Sequence, residues 1–174
     1  MSRFRRMLFT AALSCATTAV SAQDWQLVKD EEGIQVYLAT VPGSSYKAYR
    51  GVTTIKASIE RLRSLQEDVL TSCQWIFQCQ EQKMLKSEGA QSWMYSRFST
   101  PWPVTPRDSV LHITTSMAAD GALLRQIQAL PDYVPVQDGL VRVSRVDGYW
   151  SLKPKLGGVV EVVYEAHTEP GGSV

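Results

Sequence analysis

Few residues of this chain are of a type and placement suited to chemistry. Arg107 and Asp108 are adjacent opposite charges that follow the proline-bracketed run Pro101-Trp102-Pro103-Val104-Thr105-Pro106. Such a pair could orient a ligand or a gate loop. Neighbouring residues of a strand point to opposite faces, however, so the two cannot serve one site together. The structural alternative has Asp108 capping loop amides and Arg107 paired where the loop meets a strand. Arg142 could meet a carboxylate or phosphate; its alternative is a surface charge, and Trp150 beside it in the late chain reads as a core aromatic. His112 and His167 are distant in sequence and carry no recognisable metal or nucleophile motif, so each reads as a strand residue with a satisfied ring. There is no G-x-S-x-G elbow, no H-E-x-x-H and no phosphate loop. No catalytic residue, metal ligand or cofactor follows from this inventory, and the chain is expected not to be an enzyme.

Composition narrows the class further. Hydrophobic residues are 44% and charged residues 20% of the 174, with a formal charge of +1, an ordinary globular mix with no electrostatic case for nucleic acid. Arg3, Arg5 and Arg6 precede an apolar or small-residue stretch from Met7 to Val20, and Val20-Ser21-Ala22 fits a small-residue cleavage site. Residues 1–22 therefore read as a secretory signal peptide, cleaved after Ala22, and the mature domain spans 23–174. A lipoprotein signal ending at Cys15 fits less well, because Ala12-Leu13-Ser14 is a poor match to the residues before a lipidated cysteine. Removal of three arginines and no acids brings the formal charge to −2. Export to a periplasmic or extracellular space leaves Cys73 and Cys79 as an even pair in an oxidising compartment, which favours a disulfide over two buried thiols.

These residues must be held by the elements that periodicity gives. Asp24–Lys29 could make a short helical turn. Ile34–Leu38 alternates as a strand, Pro42–Ser45 is a turn, and Tyr46–Ile55 is the return strand. The period then becomes helical: Ser58 is an N-cap, and Ile59, Leu62, Leu65, Val69 and Leu70 share a face of a helix over 58–71. Further strands are expected over Trp75–Lys86, Gln91–Phe98, Ser109–Met117, Ala122–Leu130, Val141–Val146, Tyr149–Leu152 and Val159–His167. Asp120-Gly121 and Gly157-Gly158 mark turns, and Asp147-Gly148 marks a turn or a bulge within one long strand. Met94, Ser96 and Phe98 share one strand face; Leu111, Ile113, Thr115 and Met117 share a face of the next. One helix cannot cover so large an apolar sheet, so a following helix, a ligand or a partner is expected to fill it.

At this point a family resemblance emerges. Pro101 to Asp108 resembles the P-x-P-x-x-x-R-D segment of START (StAR-related lipid-transfer) domains. Gly33–Tyr37 resembles the family's opening strand and Trp75 the tryptophan after its helix, although Cys73-Gln74 stand where an acid is usual. Val141-Arg142 with Gly148-Tyr149-Trp150 resembles its late strands, and Val163–Ala166 with Glu169–Gly172 resembles its last strand and following turn. The resemblance implies an α+β helix-grip (START/Bet v 1-like) fold, in which a curved antiparallel sheet grips a long C-terminal helix. That helix should begin just beyond the end of this sequence, so the chain is expected to be an incomplete piece of a longer product.

The resemblance also implies a function: binding, and transfer, of a lipid or other apolar small molecule in a cavity between sheet and helix by a monomer. Met94, Phe98, Leu111, Ile113, Met117 and Arg142 are the expected lining. Trp102, Arg107 and Asp108 are expected in the cavity-mouth loop, where Trp102 either touches a membrane interface transiently or packs on the sheet edge. Some family members hold a polar head group with a buried acid and arginine; an ungapped count places those positions on Met94 and Ile113, which implies a ligand with little charge. The rival readings are a helix-grip enzyme of cyclase or hydrolase type using the same cavity, and a protein-interaction module whose core is already filled.

Overall fold

A computed structural model describes residues 23–172. The strands are β1 (Gln26–Glu31), β2 (Ile34–Ala39), β3 (Ala48–Ile55), β4 (Cys79–Glu88), β5 (Gln91–Phe98), β6 (Arg107–Met117), β7 (Leu123–Ala129), β8 (Val141–Arg142), β9 (Arg145–Lys155) and β10 (Val159–Glu169). Helix α1 (Ile59–Glu67) and a 3₁₀ turn at Ser72–Gln74 separate β3 from β4. The ten strands form one sheet in the order β1-β2-β3-β10-β9-β7-β6-β5-β4, with β8 beside β6. Every pairing is antiparallel except that of β8 with β6. The closing hairpin β9–β10 thus returns to the middle of the sheet and joins the opening meander β1–β3 to the meander β4–β7. This is the open antiparallel sheet with a single described helix that the helix-grip expectation requires. Residues 1–22, on which the expected signal peptide and Cys15 fall, and Ser173 and Val174 lie outside the described residues.

Several local expectations need correction. Asp24–Lys29 contains no helical turn: Gln26–Glu31 is an edge strand, joined to β2 through Glu32 and Gly33 at φ 53° and 76°, a pair of left-handed residues that suits a tight hairpin. Ser58 does cap α1, its Oγ accepting from the Arg61 amide at 3.2 Å. The helix nevertheless stops at Glu67, because the Asp68 carboxylate accepts from the Leu70 and Thr71 amides and turns the chain away. Trp75–Gln78 is loop, and β4 begins only at Cys79. Asp147-Gly148 is neither turn nor bulge, since β9 runs through it in unbroken register with β7 and β10. A Cβ on Gly148 would stand 2.4 Å from the Glu165 carbonyl oxygen, so glycine there permits an unusually close approach of β9 and β10.

The core lies under α1. Leu123, Leu152, Val160 and Val162 are buried together, with Ile59, Leu62 and Trp150 packed against them. Nine helical residues cover only the β7-β9-β10 part of the sheet, and no residue of α1 is itself fully buried. The β4–β6 part of the same face is left to the site.

Candidate functional site

On the helix face, beyond α1, lies a hollow of about 390 Å³. Its floor comes from alternate residues of four strands: Met94, Ser96 and Phe98 of β5, Leu111 and Ile113 of β6, Arg125 and Ile127 of β7, and Trp150 of β9. Strand alternation puts these side chains on one face while their neighbours point away. Tyr164 of β10 forms a side wall, stacked on Trp150 at 4.3 Å between centroids and edge-on to Tyr49 at 5.7 Å. The Tyr164 and Tyr49 hydroxyls are 3.4 Å apart. Burial, followed by the nearby Tyr49, pushes the Tyr164 phenol far above its ordinary range, so it is a neutral, apolar-facing wall at any physiological pH.

The other rim is the loop Trp75-Ile76-Phe77, which lines the hollow although Trp75 is 46% and Phe77 85% exposed. A Cys73–Cys79 disulfide closes this loop, as the cysteine count predicts, and so fixes both ends of the segment that carries the aromatic rim. Gln82 and Ser96 satisfy one another in the wall, with Gln82 Nε2 donating to Ser96 Oγ at 3.2 Å.

Of the residues singled out from sequence, the structure brings Met94, Phe98, Leu111 and Ile113 together in the lining. Met117 does not join them: it has the right strand parity, but it lies at the far end of β6, is 62% exposed and is outside the lining. Arg142 is also outside it. Its Nε and Nη2 donate to the two Asp108 oxygens at 2.8 and 2.9 Å, and its Nη1 to the carbonyls of Pro131 and Val134. The side chains of Arg142 and Asp108 are 6% and 0% exposed. This is a buried pair that ties the segment before β8 to β6. Asp108, expected either in the cavity mouth or as a cap of loop amides, is therefore structural, with Arg142 as its partner. Arg107 is likewise buried as the first residue of β6 and donates to the Thr105 carbonyl at 2.6 Å. Only Trp102 occupies a loop position, 93% exposed; it does not pack on the sheet edge. His112 stacks on Trp93 at 4.7 Å and pairs with Gln91; His167 Nε2 pairs with Ser44 Oγ, but its buried Nδ1 has no partner, so that ring is only half satisfied. Among the described residues no group of three or more His, Cys, Asp or Glu is placed to hold a metal ion.

One site residue escaped the sequence reading. Arg125 sits in the middle of the lining, 6% exposed, with Nη1 donating to Gln66 Oε1 of α1 at 3.1 Å and with no partner for Nε. Burial lowers its pKa from the ordinary value, Glu67 opposes that shift and Arg63 adds to it; an arginine keeps its proton regardless. The signal was available: Arg125 shares strand phase with Leu123 and Ile127, so it is a charge at a position that alternation reserves for the core.

Comparison with known proteins places the fold in a family. A START domain family model matches residues 7–174. The uncharacterized protein PA1579 of Pseudomonas aeruginosa is 51% identical over 170 residues, covering 98% of this chain and 84% of its own. A solved STAR-related lipid transfer protein fragment from Xanthomonas axonopodis is 38% identical with a TM-score of 0.81, covering 86% of this chain and 84% of that one. Human STARD10 shares the fold at 17% identity and a TM-score of 0.75, covering 86% of this chain and 62% of that one. With the family's segments in order and its sheet in place, this chain belongs to the START domain family.

Proposed function

We propose that this protein binds a lipid or another hydrophobic small molecule in the hollow between α1, the Trp75–Phe77 loop and strands β5–β7, and carries it as a non-enzymatic monomer. The observation that carries the reading is the hollow itself: about 390 Å³, within the range of small-molecule sites, and lined mainly by apolar and aromatic side chains. Removing an apolar tail from water there gains about 25 cal/mol per Å² of buried surface. The similarity to a protein described as a STAR-related lipid transfer protein supports the same function.

Two further elements belong to this proposal. Trp102 and Phe77 sit on neighbouring loops, tied by the Ser99 amide donating to the Gln78 carbonyl at 2.9 Å, and both are highly exposed. An exposed phenylalanine on the rim of the hollow and an exposed tryptophan on the next loop suit brief contact with a membrane interface during ligand exchange. Export through the signal at residues 1–22 suits the Cys73–Cys79 disulfide, which an oxidising compartment preserves.

The test is to fill the hollow. Ile113→Trp places an indole on the floor, and uptake of the neutral, polarity-sensitive dye Nile red is measured by fluorescence titration. The expected result is a loss of at least about tenfold in affinity with the far-ultraviolet circular dichroism of the sheet retained. Unchanged dye affinity in a folded Ile113→Trp protein would place the ligand elsewhere and end this reading.

A further inference from the structure

A neutral apolar hollow has no use for a guanidinium in its floor, yet Arg125 is buried there at 6% exposure. Gln66 takes one of its donors, Nε has no partner, and among the described residues no carboxylate lies within ion-pair distance. Leaving a buried charge without a counter-charge is strongly unfavourable, and the unpartnered donor adds to the cost. A core that needed only to hold α1 against β7 would have been served by an apolar side chain in register with Leu123 and Ile127.

The placement of Arg125 is also directional. It lines the apolar hollow and, on its other side, a groove of about 270 Å³ between α1 and the β4–β5 hairpin. Polar residues rim that groove, among them Arg63, Ser87, Gln91, Thr115 and Glu67, whose carboxylate is paired with Arg63. The guanidinium therefore stands at the boundary between an apolar compartment and a polar one. We infer that Arg125, positioned by Gln66, is the anchor for an anionic head group, so that the ligand is an amphiphile with one carboxylate or phosphate at Arg125 and an apolar tail along Met94, Leu111 and Ile113. It departs from the expectation of a ligand with little charge, which rests on Met94 and Ile113 being apolar. It rests on the ligand-binding reading above and names the chemistry that reading leaves open.

Charge-assisted bonds from arginine to a carboxylate or phosphate are strong and selective in a water-poor site. The test compares three probes with the same sixteen-carbon chain, namely palmitate, hexadecyl phosphate and hexadecanol, by calorimetric or dye-displacement titration. The intact protein is expected to bind at least one of the two anions about tenfold or more tightly than the alcohol; which anion leads distinguishes a fatty-acid-like from a phosphate-bearing ligand. In Arg125→Met the preference over hexadecanol should fall to within about twofold while hexadecanol affinity is kept or improved. Arg125→Lys should restore part of the preference.

Equal affinity of the unaltered protein for all three probes, the result if a carboxylate of the protein itself meets Arg125, would overturn the anchor and leave the hollow as a lipid site. Retention of the preference in Arg125→Met would overturn it as well. Binding of none of the three, with no Nile red uptake, would overturn the ligand-binding reading along with it. The comparison of probes on the unaltered protein decides the question even if Arg125→Met fails to fold.

Discussion

Arg142→Met is the substitution on which the structural account of Arg142 and Asp108 is most exposed. The guanidinium donates twice to Asp108, to the carbonyls of Pro131 and Val134, and to Pro135. Asp108 is fully buried, so removal of Arg142 leaves a carboxylate with neither its ion pair nor water. Breaking one half of such a pair costs about 3–5 kcal/mol, a large share of the roughly 5–15 kcal/mol that holds a domain together. For a chain of this size that corresponds to a fall in Tm of about 6–20 °C. Asp108→Asn should cost a similar amount, since it strands the guanidinium instead. The double variant should lose less than the two single losses together, by about 1.5 kcal/mol or more, because the second change removes a charge that the first has already orphaned. Urea denaturation of the four proteins measures all three quantities. Nile red affinity of the folded Arg142→Met protein should be unchanged, as Arg142 does not line the hollow. A cost below about 1 kcal/mol, additive single losses, or a selective loss of dye binding would refute the assignment of this pair to structure.

Three further outcomes follow. Replacing Cys73 and Cys79 with serine opens a bridge between residues six apart and should cost about 2 kcal/mol on loop-closure grounds, read as a lower urea midpoint that added reductant reproduces in the unaltered protein. Gly148→Ala should cost about 1–3 kcal/mol in a thermal melt, because its methyl would meet the Glu165 carbonyl and the β9–β10 approach must loosen; an unchanged melt would contradict that close approach. The Thr71 hydroxyl, chiefly, holds the Asp68 carboxyl below its ordinary value of 3.8, and Lys153 with the Ala122 amide does the same for Asp120. Their stabilisation is therefore complete above that ordinary value and is lost as pH falls through the lower folded values. Asp68→Asn and Asp120→Asn should accordingly flatten the acid limb of a stability–pH curve and leave its slope between about pH 5 and pH 7 unchanged.

How much of this was legible in the sequence depends on which force fixes each element. Alternation located β5, β6, β7 and β10 because burial on one face imposes a period of two, and it assigned Met94, Phe98, Leu111 and Ile113 to the hollow for the same reason. β1 leaves no hydrophobic pattern because every residue of it is exposed and hydrogen bonds to β2 hold it. Helix α1 was drawn too long because Val69 and Leu70 continue its apolar stripe, whereas the carboxylate of Asp68 captures the amides that would have extended it. Sequence offers Arg142 only as a ligand contact or a surface charge, because its partner, Asp108, is 34 residues away and meets it only through the parallel pairing of β8 with β6. Arg125 was passed over for the converse reason. A strand of alternating polar and apolar residues hides a charge unless its phase is checked against Leu123 and Ile127, and its missing counter-charge is visible only in three dimensions.

The central claim, that the hollow beside α1 holds an apolar guest, is tested most directly by native mass spectrometry of the protein incubated with bacterial lipid extract and then separated from free lipid. The expected result is a protein mass raised by one lipid, released by organic solvent and absent from Ile113→Trp. A protein that stays at its bare mass after every exposure, or carries the same adduct in Ile113→Trp, would contradict it.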